Sequence, residues 1–458
     1  MWESLDSWIA ATGAVAASAC ALPGCFLLLR RQSLTGDAIS HAALPGIVLA
    51  FLAAQMARQA GWLSDAGYEA SRQLFLLAGA VVLGVGCAVG SEWVQRRGGV
   101  EPSAALGVVF ITLFAVGLVL LRLIADQVDL DPDCVLYGTL ENSVLDTVPL
   151  GSLVVPRALL RHLALFLLNL VLIGLFFKEL RIASFDPGLA NAMGIPAWLM
   201  HYLLMTMTAF TAVSVFESVG SILVIAMLIV PAATAYLLTD RLVVMLVLAA
   251  LLAAASAWLG HAAALFVPRL VFPWLGYPQV TDASTSGMMA VVAGALLVAA
   301  LLAGPRYGWV AQFLRRRRLA TRIATEDLLA WLYRNAERGQ ALLPLESGRI
   351  SQVTGMSRTR VRRAVGQLVR RRWIERTPDG LRLTAAGHTA AVNLVRAHRL
   401  WESFLAERLD VPAARLHESA ERIEHYLDSQ MLDELEAELQ LPERDPHGSL
   451  IPRQARDE

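Results

Sequence analysis

The sequence predicts an all-α polytopic membrane bundle of about eight to nine transmembrane helices, followed by a cytoplasmic winged helix-turn-helix domain and a further helical domain. Composition is the first observation: 56% of the 458 residues are hydrophobic, 17% are charged, and the mean hydropathy is +0.53, values far from those of soluble domains. The second is a series of long apolar runs. The third is a change of composition after Arg318, beyond which no run is long and apolar enough to span a bilayer.

Nine apolar runs are candidate transmembrane helices, because about 20 apolar residues are needed to cross the hydrocarbon core of a bilayer. These runs cover residues 9–29, 38–57, 73–94, 104–124, 158–177, 197–216, 218–238, 241–267 and 284–304. An eight-span alternative requires one of the runs to be re-entrant.

Basic residues between the runs set the predicted orientation, because positively charged loops stay in the cytoplasm. The basic groups are Arg30 with Arg31, Arg96 with Arg97, Lys178 with Arg181, Arg241, and the four arginines at 315–318. With nine spans these groups lie on one side, which predicts an external N-terminus and a cytoplasmic C-terminus. Arg157 and Arg161 are exceptions near the outer face, and the acidic segment 129–134 is predicted to be an external solvated loop.

The lysine and cysteine content narrows the chemistry. Lys178 is the only lysine, and no glycine loop precedes it, so the chain lacks the GxxxxGK[ST] pattern of a standard ATP-hydrolysing site. The four cysteines are scattered and form no CxxC pair, which indicates neither a disulfide framework nor a zinc site. We therefore expect no nucleotide on this chain and no enzymatic activity of its own.

Asp37 and His41 lie in an apolar setting, within the segment SLTGDAISHAALPG. They are four residues apart and therefore share one helix face. An ionisable pair inside a membrane is a candidate functional site, and a carboxylate with an imidazole suits a divalent cation such as Mn, Fe or Zn. The alternative is an internal ion pair that holds two helices together. Pro45 and Gly46 favour a kink or a close helix approach.

Four segments together resemble the permease subunits of ABC transporters for manganese, zinc and iron. They are SLTGDAISHAALPG (33–46), FDPGLANAMGIP (185–196), ESVGSILVIAMLIVPAATAYLLTDRL (217–242) and GPRYGW (304–309). The resemblance covers about residues 1–310. It implies that Asp37 and His41 are ligands on the metal path, in a multi-pass protein of the bacterial plasma (inner) membrane.

The same resemblance implies further residues and partners. Glu217 is a third candidate for the transported metal, the alternative being an interfacial charge that caps a helix. Segment 185–196 resembles the part that grips the ATPase, and the expected coupling residues are Phe185, Asp186, Pro187 and Gly194; the alternative is an ordinary connecting loop. The implied partners are a separate ABC ATPase subunit, an extracytoplasmic metal-binding protein and a second permease subunit, identical or different.

Residues 349–387 predict a helix, a turn, a second helix and a two-stranded wing. Gly355 lies at the turn, TPDG (377–380) is a hairpin turn, and Val361, Val365, Leu368 and Val369 form the apolar face of the second helix. Eight arginines and one acidic residue between 358 and 376 fit DNA phosphates. The candidate DNA-binding residues are Ser357, Arg358, Thr359, Arg360, Arg362 and Arg363, with Ser357 also a candidate N-cap. The alternative is that these arginines contact anionic membrane lipid.

Two further segments carry histidine and glutamate at helical spacing. His398 and Glu402 are four residues apart, and the second group is His417, Glu421, Glu424 and His425. Two helices could thus present several nitrogen and oxygen ligands to one or two divalent ions. The alternative is surface salt bridging with nearby arginines.

The segments RAHRLWESFLAERL, HESAERIEHYL and LPERDPHGSLIP resemble the metal-binding and dimerisation region of repressors of the diphtheria-toxin-repressor type. The resemblance implies that all six of those residues are ligands. Glu421 stands where some members have Cys, which favours an oxygen-rich site. Asp327 matches a ligand in the first helix of manganese-type members, whereas Ala330 stands where those members have Glu. The optional third, SH3-like domain of that family is expected to be absent.

The expected organisation is a permease (1–310), a basic linker (311–322), a winged helix-turn-helix domain (323–388) and a metal-binding and dimerisation domain (389–458). The chain would import a divalent metal ion (Mn, Fe or Zn) and repress genes through an operator when that metal accumulates. One alternative is that the C-terminal region senses cytosolic metal and gates transport without binding DNA. Another is an efflux or proton-coupled carrier that uses Asp37.

Overall fold

The computed structural model describes residues 2–62, 64–124, 140–151, 153–305, 307–339, 347–378, 380–409 and 411–453, and the acidic segment 129–134 lies outside them. The chain divides into two compact units, Met1–Ala311 and Gln312–Glu458.

The first unit is a helical bundle with one small hairpin. Its elements are α1 (Ser4–Leu29), α2 (Ser33–Gln59), α3 (Asp65–Gly98), α4 (Pro102–Ile124), α5 (Leu140–Ser143), β1 (Thr147–Leu150), β2 (Leu153–Pro156), α6 (Arg157–Leu175), α7 (Phe177–Phe185), α8 (Pro187–Ala192), α9 (Ala197–Val219), α10 (Ser221–Leu238), α11 (Leu242–Val271) and α12 (Thr285–Ala303). All nine predicted runs are helical. Within the described residues eight helices are long and apolar enough to cross a membrane, and α10 offers a shorter apolar stretch.

Helix α1 forms the centre of the bundle. It packs against α6, α9, α10 and α11, and its side chains from Ala16 to Leu27 are almost all fully buried. Gly24 makes the closest approach, because a Cβ at this position would lie 1.8 Å from the carbonyl oxygen of Leu228 on α10. Small residues let helix backbones approach closely, which is how packed membrane helices gain van der Waals contact.

Helix α2 packs against α3 and α4. A Cβ at Gly46 would lie 2.3 Å from the carbonyl oxygen of Gly79 on α3, so the expected close helix approach at this position is present. Gly117 of α4 faces Pro45 in the same way, since an added Cβ would lie 2.8 Å from the proline Cδ. These contacts fix the part of α2 that follows Asp37 and His41.

Gly220 separates α9 from α10. Its φ of +83° is in the left-handed region that favours glycine, so the two helices end and begin there without strain. The β1–β2 hairpin just before α6 pairs Thr147 with Pro156 and Leu150 with Leu153. The sequence patterns did not predict this hairpin.

The second unit contains the remaining elements. They are α13 (Trp309–Glu337), α14 (Ser347–Thr354), α15 (Arg358–Arg370), β3 (Ile374–Thr377), β4 (Gly380–Leu383), α16 (Ala385–Leu409), α17 (Ala413–Ile423) and α18 (Ser429–Glu438). The segment 311–322, expected to be a linker, is helical and belongs to α13. Its arginine, leucine and alanine residues are strong helix formers, and it contains neither Gly nor Pro. The expected boundary at 388/389 falls inside α16.

The helix-turn-helix and wing form as expected. Gly355 has a φ of +68° between α14 and α15, and the hairpin β3–β4 turns between Thr377 and Gly380. Val361, Val365 and Leu368 of α15 are buried in a core shared with α13, the wing and the first half of α16. A second core packs the other half of α16 against α18 and the C-terminal tail.

Candidate metal centres

Asp37 and His41 lie one turn apart on α2. The Nε2 atom of His41 is 3.2 Å from Oδ1 of Asp37, and the side chains are 27% and 33% exposed respectively. The imidazole packs against two aromatic rings of α4, with ring centroids 6.4 Å from Phe110 and 5.2 Å from Phe114. The pair is therefore partly sheltered and partly exposed.

The other predicted member of this site cannot be placed beside the pair. Glu217 lies in α9, and its side chain is outside the described part of the structure. Among the described side chains of the first unit, no cluster of three His, Cys, Asp or Glu ligands forms. Asp37 and His41 alone supply one carboxylate and one imidazole, and further ligands would be water or other polar groups.

The predicted coupling segment forms a short exposed helix. Asp186 is the N-cap of α8, and its Oδ1 accepts a hydrogen bond of 2.9 Å from the backbone N–H of Leu189. Pro187 occupies the first turn, and Gly194 ends the segment with a φ of +79°. Phe185 and Leu189 are 64% and 51% exposed. An exposed apolar surface of this kind is typical of a protein interface.

The predicted DNA-binding residues form an exposed surface on α15. Ser357, Arg358, Thr359, Arg360, Arg362 and Arg363 are all exposed. The backbone of Ser357 is extended at the N-cap, but its hydroxyl lies 3.2 Å from Oγ1 of Thr359 and makes no cap hydrogen bond. A basic, exposed helix preceded by a tight turn and followed by a two-stranded wing is thus present.

One candidate metal centre, the His398 cluster, consists of His398, Glu402 and His417. The Nε2 atom of His398 lies 3.0 Å from Oε1 of Glu402 and 2.9 Å from Nδ1 of His417, and His417 lies 3.2 Å from Glu402. His398 and Glu402 are buried on α16, whereas His417 is more exposed on α17. Such separations between ligand atoms match those around one ion bound at about 2.0–2.3 Å.

A second candidate centre, the His425 cluster, consists of Asp327 on α13 with Glu424 and His425 at the end of α17. The Nε2 atom of His425 is 3.1 Å from Oδ1 of Asp327 and 3.9 Å from Oε1 of Glu424. This Nε2 is buried and makes no aligned hydrogen bond within the described residues. A divalent ion between the nitrogen and the carboxylates would satisfy all of them, so the residues fit a metal.

A hydrogen bond connects the two clusters, and acidic neighbours raise the pKa of a histidine in each. Nδ1 of His398 hydrogen-bonds to Glu424. Burial lowers the pKa of His425, but the close contacts with Asp327 and Glu326 and the charge of Glu424 outweigh burial and raise this pKa to about 9. Burial opposes the same change at His398, where hydrogen bonds to Glu402 and Glu424 raise the pKa. At neutral pH a proton on His425 therefore occupies the place that a cation would take.

Six of the seven predicted regulatory ligands are thus brought together in two clusters. Glu421 is exposed on α17 and belongs to neither. Two neighbours were missed: Glu326, whose Oε2 lies 2.8 Å from Nδ1 of His425, and His447, whose Nε2 lies 3.8 Å from Oε1 of Glu402. In the sequence, Glu326 could have been found as the acidic residue next to Asp327, and His447 as the histidine of the DPHG segment.

The tail that carries His447 is fixed to α16. Arg399 is buried and contacts Asp445 (3.7 Å between Nε and Oδ2) and the carbonyl oxygen of Leu450, besides pairing with Glu337. Asp445 in turn accepts the backbone N–H of His447 at 2.9 Å. This arrangement holds the imidazole next to the His398 cluster.

Comparison with known families gives two matches, one in each of the two compact units. Residues 2–269 match the ABC 3 transport family, and residues 384–453 match the metal-binding and dimerisation domain of iron-dependent repressors. The first match spans α1 to most of α11, and the second contains α16, α17 and the tail.

Individual relatives support the first match. The chain is 39% identical over 313 residues to the manganese transport system membrane protein MntD of Bacillus subtilis, covering 68% of this chain and 96% of MntD. It is 36% identical to the zinc transport system membrane protein TroD of Treponema pallidum, covering 82% and 95% of the two chains. The solved structure of PsaBC from Streptococcus pneumoniae in complex with Fab aligns with a TM-score of 0.51 and 27% identity, over 67% of this chain and 94% of that one. The chain therefore belongs to the ABC 3 transport family, and its permease is fused to a metal-binding domain of the iron-dependent repressor type.

Proposed function

We propose that this permease imports a divalent transition-metal ion (Mn, Fe or Zn) past Asp37 and His41, and that the second unit represses genes when that ion accumulates. The observation that carries the first half is the partly sheltered carboxylate–imidazole pair on α2. One anionic and one neutral ligand bind such a cation well enough to strip part of its water. Two ligands that keep some exposure also let it leave.

The work of transport comes from a separate ATPase subunit. The exposed apolar side chains of Phe185 and Leu189 and the capped start of α8 support this docking. An extracytoplasmic metal-binding protein would deliver the ion, and a second permease subunit would complete the pathway. The protein would lie in the plasma membrane with the second unit in the cytoplasm.

The regulatory half rests on where the ligands come from. Asp327 belongs to the first helix of the DNA-binding domain, whereas Glu424 and His425 follow α17. An ion in the His425 cluster would link α13 to the end of α17. It would thereby hold α13 in a fixed position relative to α15. Metal binding would thereby order the surface on α15 for an operator.

The import half is tested by measuring cellular metal content by mass spectrometry after replacement of Asp37 and His41 by alanine. We expect accumulation of one transition metal to fall to the level of a strain without the permease. Ser40→Ala is the matched control, since Ser40 lies between them in the sequence, is buried, and its hydroxyl donates a hydrogen bond to the carbonyl of Gly36. Normal import of every transition metal by the double variant would refute the proposal.

The regulatory half is tested by fluorescence anisotropy with a duplex from the region upstream of this chain's own gene. The full chain in zwitterionic nanodiscs should bind it with Mn or Fe and lose most affinity with a chelator. Absence of metal-dependent DNA binding, together with altered import by His425→Gln, would instead favour direct gating of transport.

A further inference from the structure

A cleft of about 840 Å³ lies between the first turns of α13 within the second unit and the exposed face of α15. Arginines line both walls. Arg317, Arg318 and Arg322 come from α13, and Arg362, Arg363 and Arg370 come from α15. The exposed face of the recognition helix and the basic segment of α13 thus form one continuous concave surface.

The positive charges of this cleft are largely uncompensated. Arg322 pairs with Glu326 at 2.8 Å, and Arg317 lies over the ring of Phe313, 4.2 Å from its centroid. In the described part of the chain, Arg318, Arg362 and Arg370 have no ion pair or hydrogen bond. Like charges gathered in a cleft raise its potential and attract a polyanion. A line of phosphates, each able to meet a guanidinium in a planar paired contact, fits such walls.

Hydrogen bonds connect the two walls of the cleft to each other and connect the α13 wall to a residue of the His425 cluster. Oγ1 of Thr325 on α13 donates a hydrogen bond of 2.9 Å to Oε1 of Gln367 on α15. Nη2 of Arg322 donates to the backbone carbonyl of His425 at 3.3 Å. The backbone of His425 therefore positions Arg322 of the cleft. Because His425 is also a candidate metal ligand, metal binding would stabilise the position of the α13 wall.

Duplex DNA suits this geometry. A recognition helix in the major groove is bordered by a phosphate backbone on each side, and the cleft runs along one side of α15. The backbone on that side carries one phosphate per nucleotide, so several arginines on the two walls could each meet a phosphate. An anionic lipid headgroup offers similar phosphate chemistry but does not account for the continuity of the cleft with the recognition surface.

We infer that the cleft binds the DNA backbone bordering the groove occupied by α15, with Arg317 and Arg318 as phosphate-binding residues on a helix that starts before the DNA-binding domain. The inference rests on the proposed DNA binding of the second unit. It assigns the basic segment of α13 to the DNA interface, beyond the recognition helix and wing.

The salt dependence of DNA binding tests this inference. The full chain in zwitterionic nanodiscs with Mn is titrated with the labelled duplex over a range of KCl concentrations. Each phosphate contact contributes about 0.9 to the slope of log K against log [salt]. Arg317→Gln/Arg318→Gln should therefore lower the slope by about 1.8 without changing the preference for the upstream sequence over an unrelated duplex.

Matched variants separate charge from position. Arg315→Gln/Arg316→Gln removes the same charge from the same helix outside the cleft and should lower the slope much less, and Arg317→Lys/Arg318→Lys should restore it. All four of these arginines are exposed, so the variants should keep the fold. An unchanged slope in the glutamine variant, or an equal loss in the control, would overturn the inference. A glutamine variant that changes only the retention of anionic lipid in native mass spectrometry would do the same. If the unchanged chain does not bind DNA at all, the proposed function itself fails.

Discussion

Metal binding to the His425 cluster should release a proton, and the raised pKa of His425 determines how strongly that proton competes with the metal ion. The pKa of His425 is raised to about 9 by its acidic neighbours against the opposing effect of burial. At pH 7 the imidazole is therefore protonated without metal, and an ion must displace that proton before Nε2 can bind it.

The size of this competition follows from the difference between the pKa and the pH. Two pH units correspond to about 2.7 kcal/mol, so the apparent affinity at pH 7 should be about 100-fold weaker than its limiting value well above pH 9. Between these limits it should rise about tenfold per unit. The same raised pKa stabilises the metal-free fold below about pH 6.5, and that stabilisation is lost as the pH rises through about 9.

Calorimetric titration of Mn into the full chain measures both quantities. The background carries alanine at Asp37 and His41, and the buffers differ in ionisation enthalpy. We expect His425→Gln to lower the number of released protons by about one at pH 7 and to flatten the pH dependence. His388→Gln is the control, because His388 contacts the ring of Tyr333 and belongs to neither cluster. Identical proton release in wild type and His425→Gln would refute the reasoning.

Three further changes should have separate effects. His447→Ala should weaken Mn binding about tenfold at the His398 cluster while leaving the His425 cluster unchanged; calorimetry showing equal loss at both would indicate a displaced tail instead. Gly24→Val should cost at least about 1–3 kcal/mol of stability, measured by thermal denaturation in detergent, because its side chain would meet the backbone of Leu228. Gly86→Val, where nothing lies within 4 Å, should be neutral, and equal melting temperatures would contradict the packing argument. Leu189→Asp should abolish ATP-driven metal uptake while the chain still binds metal, and normal uptake would remove α8 from the coupling interface.

The sequence predicted the elements that depend on local pattern. Nine apolar runs gave nine helices because length and hydropathy alone require a helix in a bilayer. The β1–β2 hairpin was missed because each strand has four residues and Pro149 interrupts the first. The basic segment 311–322, which the sequence analysis expects to be a linker, lies within α13, because its arginine, leucine and alanine residues favour a helix.

The sequence could pair neighbouring candidate residues where spacing along one helix sufficed. Asp37 with His41 follows from i, i+4 geometry, as does His398 with Glu402. The association of Asp327 with His425 spans almost a hundred positions and depends on how α13 packs, so only the family resemblance indicated it. His447 could not be placed from the sequence, because its position depends on Arg399 drawing the tail back onto α16.

Glu424 faces two ways, and this shapes how the protein would read a metal concentration. One of its oxygens hydrogen-bonds to His398, and the other lies 3.9 Å from His425. The first ion to arrive beside His425 would draw Glu424 toward itself and weaken the hydrogen bond that Nδ1 of His398 donates to Glu424. Because Glu424 helps to raise the pKa of His398, the imidazole would then hold its proton less tightly, and a second ion would compete more easily for Nε2. Occupancy should consequently climb more steeply than a hyperbola, with a Hill coefficient above 1, and transcription would switch over a narrow range of cytosolic metal.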